Sequence, residues 1–229
     1  MAANGLPGSG ALEVPLTQAQ VEAANQLHEH LAGWRLVDRV LRSLAEHFPS
    51  NCDLAQVLPK AITLNSLYAT RIMAIQQMAH HVVSTFQGGC DESSPDLVEK
   101  LAALSDLGPA KKTKRFVSFA SKYCHFFVNP CRFAIRDTYA FNALSFHIGK
   151  KRLRVHSYED YLNAVDALRA AAGLSCNYSE LDHYLWLRGQ WTAFSLNENA
   201  PINGEAREVF QTPDPAVRSL RDRAFPLGP

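Results

Sequence analysis

One acidic residue stands alone in a long basic segment of this sequence. Between Gly108 and Arg154 there are eleven Lys and Arg residues and a single acid, Asp137. A carboxylate among cations ionises without repulsion from other acids, and it can stabilise positive charge that develops on a bound substrate. Asp137 is therefore the first candidate for a catalytic residue. The alternative is that Asp137 caps a predicted helix, and the two roles are compatible.

The basic segment, residues 108–154, indicates a polyanionic partner. It carries ten net positive charges, although the whole chain of 229 residues has a formal net charge of only +1. Lys and Arg side chains that neutralise phosphates release counterions, so this distribution suits a polyanion such as a nucleic acid. A solvated basic face that pairs with acids elsewhere in the fold is the alternative. The predicted phosphate contacts are Lys111, Lys112, Lys114 and Arg115.

The elements that position these residues are predicted to be helices. Apolar residues recur at spacings of three and four through most of the chain, and alternating β-branched runs are almost absent. The first predicted helix ends at His47. The others cover about 54–86, with a break near Leu64 left open, and then 94–108, 113–127, 137–148, 158–172 and 180–191. The fold class is therefore all-α, with some seven helices.

Length and composition bound the organisation of the chain. A chain of 229 residues, 47% of them hydrophobic, can bury a core, which excludes disorder as its dominant state. We expect a flexible N-terminal tail over 1–15, one helical domain over 16–197 and an irregular C-terminal tail over 198–229. Five scattered cysteines predict no disulfide framework and favour a reducing compartment.

The expected location is the cytoplasm. The N-terminal residues show no secretory signal, and no apolar run approaches the roughly 18 residues of a membrane span. The sequence thus predicts no membrane partner, and a monomer is expected.

Two segments resemble the helix-hairpin-helix DNA glycosylase superfamily. SFASKYC at 118–124, followed by FAIRD at 133–137, is similar to the catalytic region of that superfamily, which includes endonuclease III and the adenine and 8-oxoguanine glycosylases. Upstream, SLYAT at 66–70 is similar to the segment whose Gln fills the gap left by a flipped base. The resemblance spans about 54–191 and is also close to small uncharacterised bacterial members.

The resemblance implies a helix-hairpin-helix glycosylase-like fold and an enzyme that flips and excises a damaged or modified base. Asp137 takes the place of the catalytic Asp, which stabilises an oxocarbenium-like transition state and orients water. Ser118 lies within one residue of the position where other members carry a Lys, which implies a monofunctional enzyme that leaves an abasic site. Lys122, one turn beyond Ser118 on the same face, is the alternative amine or a phosphate contact. Asn65 and Tyr68 occupy the wedge-like segment, and a core position is the alternative for Tyr68.

The chain departs from the superfamily pattern in its hairpin and its cysteines. LGPAKKTKR at 107–115 lacks most glycines of the usual hairpin, so Lys side chains are expected to hold the phosphates. Iron-sulfur members carry four Cys after the catalytic Asp, whereas only Cys176 follows Asp137 here, so no iron-sulfur cluster is expected. Cys124, Cys131 and His125 lack the four ligands of a zinc site, and we expect no metal and no cofactor.

Three functions are compatible with these observations. The first is a DNA glycosylase that serves DNA repair or antiviral defence against phage DNA with modified bases. The second is a non-catalytic DNA-binding module of the same fold, in which Asp137 only caps a helix. The third is a helical protein-interaction domain whose basic segment meets an acidic partner.

Overall fold

The computed structural model describes residues 12–104, 114–151 and 153–226, and this part of the chain is all-α, as the sequence predicts. Its eleven helices are α1 (Gln18–His28), α2 (Ala32–His47), α3 (Leu54–Leu67), α4 (Ile75–Gln87), α5 (Asp96–Ala102), α6 (Val117–Phe127), α7 (Thr138–Ile148), α8 (Tyr158–Ala171), α9 (Tyr178–Leu196), α10 (Gly204–Gln211) and α11 (Pro215–Ala224). Strands β1 (Ala103–Leu104) and β2 (Lys114–Arg115) form the one sheet of the described residues, an antiparallel pair.

Polar residues just before the helices explain where many of them begin. Thr17 and Asn177 each form a capping box, with Gln20 and Glu180 three residues later. Such caps satisfy backbone N–H groups that have no partner inside the helix. Single side-chain caps are made by Asp53, Asp137, Asn203 and Asp214.

The first two predicted helices are each divided in the structure. A tight turn at 29–31 separates α1 from α2, and the Glu205 carboxylate accepts hydrogen bonds from the backbone N–H groups of Gly33 and Trp34 at 2.8 and 3.2 Å. Leu27 and Leu31 are both buried, so the apolar spacing continues across the turn and does not reveal it. The second break, at 68–74, follows the end of α3 at Leu67, a few residues beyond Leu64, where the sequence left a break open.

The C-terminal part of the chain is more helical than the sequence predicts. Helix α9 begins at Tyr178 after the Asn177 cap, not after Ser179, and continues to Leu196. The tail predicted to be irregular after Asn197 contains α10 and α11 instead. Both helices bury apolar residues, among them Phe210 and Val217. Pro215 favoured the wrong prediction of an irregular tail. In the structure it occupies the first turn of α11, where a residue without a backbone N–H is tolerated.

The chain divides into two compact units where the sequence predicted one domain over 16–197. The first unit comprises the described residues of 1–35, 137–156 and 160–229, and the second comprises those of 36–136 and 157–159. The predicted flexible tail over 1–15 lies outside the described residues up to residue 11. The backbone N–H groups of Glu13 and Val14 donate to the carbonyl oxygen of His147.

A buried lysine connects two helices of the second unit. Lys60 of α3 is fully buried, and its Nζ donates to Asn51 Oδ1 at 2.6 Å and to the Ser50 carbonyl oxygen at 2.9 Å. Asn51 Oδ1 also accepts the Tyr123 hydroxyl at 2.8 Å, and Asn51 Nδ2 donates to the carbonyl oxygen of Phe127 at 3.0 Å. Burial lowers the pKa of Lys60 to about 8. This network fixes the position of α6, which carries two candidate site residues.

A buried histidine occupies the core of the first unit. His147 Nδ1 lies 2.9 Å from the carbonyl oxygen of Val14, which can only accept, so Nδ1 carries the proton. His147 Nε2 therefore accepts the Tyr184 hydroxyl at 2.9 Å. Burial lowers the pKa of His147 to about 4 and raises the pKa of Tyr184. Both side chains are thus neutral at neutral pH.

The neutral state of His147 predicts a loss of stability in acid. The unfolded chain binds this proton near the ordinary pKa of 6.5, whereas the folded protein binds it only near 4. The contribution of neutral His147 to the free energy of unfolding is therefore complete above about pH 6.5, and it is lost as the pH falls from there to about 4. At pH 4.5 the loss is about 2.5 kcal/mol. Urea unfolding of the wild type and of His147→Gln at neutral pH and at about pH 4.5 measures this loss.

The control for this prediction is a histidine that stays in solvent. His30 is exposed, and His30→Gln is expected to lose as much stability in acid as the wild type does. His147→Gln is expected to lose about 2.5 kcal/mol less. Equal losses in the wild type and His147→Gln would contradict the prediction.

Candidate active site

Helix α6 brings Ser118 and Lys122 together. Four residues separate them along the helix, so their side chains share one face. Lys122 Nζ donates to Ser118 Oγ at 2.9 Å. Lys122 is only 2% exposed, whereas Ser118 is half-buried. The amine is thus held beside a hydroxyl and screened from bulk water.

Tyr68 covers this amine from another part of the chain. It follows the last residue of α3, and its ring centroid lies 5.1 Å from Lys122 Nζ. The same ring packs at 5.9 Å against Phe126, one turn beyond Lys122. An ammonium over an aromatic face is stabilised by the negative face of the ring. We call Tyr68, Ser118 and Lys122 the amine cluster.

Asn65 shapes the loop that follows Tyr68. Its Oδ1 accepts the Thr70 hydroxyl at 2.7 Å and the Ile72 backbone N–H at 2.9 Å, and its Nδ2 donates to the Ile72 carbonyl oxygen at 3.1 Å. The sequence predicted Asn65 as a wedge or base-pocket residue. Its polar atoms are instead occupied within the loop, so the side chain organises residues 68–74.

The backbone of this loop is strained, and its tip is apolar. Ala69 and Arg71 have φ angles of 47° and 59°, a region that residues with a Cβ seldom adopt. Met73 is 95% exposed, which is unusual for a large apolar side chain. Strained backbone of this kind is concentrated at binding and catalytic sites. Sequence reasoning missed Met73, because its neighbours Ile72, Ala74 and Ile75 are also apolar and its exposure depends on how the loop folds.

Three buried side chains hold the segment 133–136, which directly precedes Asp137. His125 Nδ1 donates to the Phe133 carbonyl oxygen at 2.7 Å, and the Tyr158 hydroxyl donates to the Ala134 carbonyl oxygen at 2.7 Å. Ser121 Oγ accepts the Arg136 backbone N–H at 3.0 Å. Sequence reasoning assigned no role to these side chains. The i, i+4 spacing of Ser121 and His125, both polar on an apolar face, is the signal that points to them.

Asp137 is the N-cap of α7. Its Oδ1 accepts the backbone N–H of Ala140 at 2.9 Å, and its side chain is partly exposed. The predicted cap role is therefore confirmed. A carboxylate at a helix N-terminus also meets the positive end of the helix dipole. Asp137 belongs to the first unit, as the first residue of its segment 137–156, whereas the amine cluster belongs to the second unit.

The predicted phosphate contacts are only partly visible. Lys111 and Lys112 lie outside the described residues, and Lys114 belongs to β2. Arg115 is exposed and forms an ion pair with Glu99 of α5. The other oxygen of Glu99 accepts the Tyr158 backbone N–H at 2.5 Å. The summed charge of the basic segment therefore overstates its free cations, since Arg115 is paired and Lys122 is buried.

The cysteine and histidine of α6 serve packing in this structure. Cys124 is fully buried, and burial raises the pKa of its thiol, which disfavours the thiolate that a metal requires. The neighbouring His125 is held by the Phe133 carbonyl oxygen. Cys131 is exposed.

None of the described helices has the length and apolar character needed to cross a membrane. Residues 19–132 match the protein family described as HI_0787_N, N-terminal domain. The chain is also 32% identical over 133 residues to a Haemophilus influenzae protein whose name is "Uncharacterized protein". That alignment covers 55% of this chain and 62% of the relative, so the chain spans about three fifths of the relative's length. No solved structure matches the chain.

Proposed function

We propose that this protein is a DNA N-glycosylase with a helix-hairpin-helix glycosylase-like fold. The amine cluster is the observation that supports this proposal best. Tyr68 comes from the segment similar to the superfamily's wedge, and Ser118 and Lys122 come from the segment similar to its catalytic region. These segments lie about 50 residues apart in the chain, and yet Lys122 contacts both Tyr68 and Ser118.

The proposed reaction breaks the bond between a base and its deoxyribose. Positive charge develops on the sugar in the transition state, and Asp137 stabilises that charge. In the hydrolytic route, a water attacks the sugar carbon and its proton passes to Asp137, while the base leaves with the bonding electron pair. The product is an abasic site.

We propose a second route in which the amine of Lys122 is the nucleophile. The amine of Lys122 lies 2.9 Å from the hydroxyl of Ser118, which the resemblance puts within one residue of the position where other members carry Lys. After giving up its proton, the amine would attack the sugar carbon, the base would leave with the bonding pair, and the attached nitrogen would lose a proton. The bond from that carbon to the ring oxygen would then break, with a proton passing to the oxygen, to give a Schiff base. Strand cleavage would then accompany base removal.

Access to the amine requires a change at Tyr68. Lys122 is covered in the free protein, so the proposal requires the Tyr68 ring to move when DNA binds. Extrusion of a nucleotide also requires a side chain that fills the vacated stack, and apolar residues such as Met serve this purpose in other proteins. Met73, on the same strained loop as Tyr68, is suited to this role. We propose further that the protein acts as a cytoplasmic monomer in DNA repair or in defence against modified phage DNA.

The test uses duplexes that each carry one damaged or modified base, including glucosylated phage DNA. After incubation and heating in alkali, wild-type protein is expected to give strand breaks at one class of base. Binding with a steep salt dependence but without breaks on any duplex would contradict the proposal and would indicate a non-catalytic DNA-binding module.

Borohydride trapping separates the two routes. If Lys122 is the nucleophile, wild-type protein gives a covalent adduct with DNA, and Lys122→Met gives none. Lys100 is an exposed lysine of α5, and Lys100→Met is the matched control that should trap as wild type does. Abasic sites without any adduct would contradict the amine route and assign the chemistry to water.

A further inference from the structure

A cavity of about 450 Å³ lies within the first unit. Its walls come from the N-terminal segment and α1, the end of α7, α9 and the residues after α11. His147, in its wall, lies ten residues beyond Asp137 along α7, which is about 15 Å of helix. A volume of about 450 Å³ is within the range of small-molecule sites.

Among the described residues, Arg188 is the only charged one that lines this cavity. Its guanidinium carbon lies 4.0 Å from the ring centroid of Phe146. Within the described part of the chain, Arg188 forms no ion pair, although it is half-buried. A partly desolvated cation without a counter-ion is costly, and burial lowers the pKa of Arg188. Its position is explained if an anion binds there.

The other polar groups around the cavity are neutral. His147 and Tyr184 satisfy each other, with the proton on the tyrosine oxygen. Gln20 Oε1 accepts the Thr17 backbone N–H at 2.9 Å, and its amide nitrogen donates to no described residue. That amide supplies a second donor for an anion. None of the described residues that line the cavity is acidic, so none of them repels a negative charge.

The remaining walls suit an apolar or aromatic body. Phe146, Tyr184 and Phe225 provide rings, and Val14 and Pro226 provide aliphatic surface. A guanidinium presents a planar fork of donors that matches a carboxylate or a phosphate. We propose that this cavity binds a small organic anion that has an apolar body and a carboxylate or phosphate head held by Arg188.

Three probes of one shape test the charge and the head group. Isothermal titration with 2-naphthoate, 2-naphthyl phosphate and the neutral 2-naphthamide uses the full chain without DNA. At least one anion is expected to bind at least about 10-fold more tightly than the amide, which corresponds to about 1.4 kcal/mol. The preferred anion then distinguishes a carboxylate ligand from a phosphate ligand. Equal binding of all three probes, or no binding at millimolar concentration, would overturn the inference.

Two arginine variants test the residue. Arg188→Met is expected to weaken anion binding at least about 10-fold while the melting temperature stays the same or rises, because an unpaired buried cation is replaced by an apolar side chain. Arg218 is an exposed cation of α11, and Arg218→Met should bind as wild type does. If Arg188→Met lowers duplex DNA affinity but leaves probe binding unchanged, Arg188 contacts the phosphate backbone and the inference is wrong. Failure of base excision has no bearing on these titrations.

Discussion

Asp137→Asn is expected to reduce the formation of abasic sites by about a thousandfold, with DNA affinity nearly unchanged. The substitution removes the negative charge that would stabilise the oxocarbenium-like sugar and the base that would accept the proton of water. Asn is also a good helix N-cap and can keep the hydrogen bond from the Ala140 backbone N–H. The fold should therefore survive. Single-turnover kinetics on the duplex identified as substrate measure the effect.

The matched control is an aspartate with the same structural role and no proposed chemistry. Asp214 caps α11 in the same unit, and its Oδ1 accepts the Ala216 backbone N–H at 2.8 Å. Asp214→Asn is expected to keep wild-type excision and a similar melting temperature. If both variants retain full activity, Asp137 is only a cap and the proposed mechanism is wrong.

Gly189→Ala is expected to destabilise the first unit by about 3 kcal/mol or more. A Cβ on Gly189 would lie 2.3 Å from the carbonyl oxygen of Tyr139 and 2.7 Å from its carbonyl carbon. These are backbone atoms of α7, so no side-chain rotation relieves the overlap, and α9 must shift away from α7. The usual gain in helix propensity from Gly to Ala, about 1 kcal/mol, is too small to offset this.

Urea unfolding of Gly189→Ala and Gly204→Ala checks this prediction. Gly204 is the first residue of α10, and a Cβ there meets nothing within 4 Å. Gly204→Ala is expected to be neutral or slightly stabilising. Equal stability of the two variants would show that α7 and α9 can separate at low cost.

The sequence predicted the helical class and the Asp137 cap because those features depend on neighbours in the chain. Apolar spacing and the Asp137 cap are local, and both are present in the structure. The break at 68–74 depends on Asn65, whose side chain bonds a backbone that has already turned. Residue type alone does not distinguish such an Asn from a solvent-exposed one. The same limit hid α10 and α11, whose short apolar faces are stabilised by tertiary packing.

The candidate site also combines features that depend on neighbours in the chain with contacts between distant residues. The shared face of Ser118 and Lys122 follows from helix periodicity, and their hydrogen bond needs only one turn of α6. The contact from Tyr68 joins distant parts of the chain, so no local pattern contains it. Charge summation also failed at Arg115, since its partner Glu99 lies outside the basic segment. That Arg188 forms no ion pair within the described residues follows only from the tertiary positions of the acids there.

The segments that form the first unit are far apart in the sequence, so they are synthesised at different times. Asn25 Nδ2 of α1 donates to the Glu180 carbonyl oxygen at 2.9 Å, and the backbone N–H of Gly33 in α2 donates to the Glu205 carboxylate at 2.8 Å. Residues 36–136 of the second unit emerge in one stretch between these partners. If that stretch compacts first, it shortens the effective loop that α1 must close, and loop closure costs less entropy. Until α9 and α11 are synthesised, α1 lacks the helices on which it mainly packs, so its apolar face is exposed to proteases and chaperones.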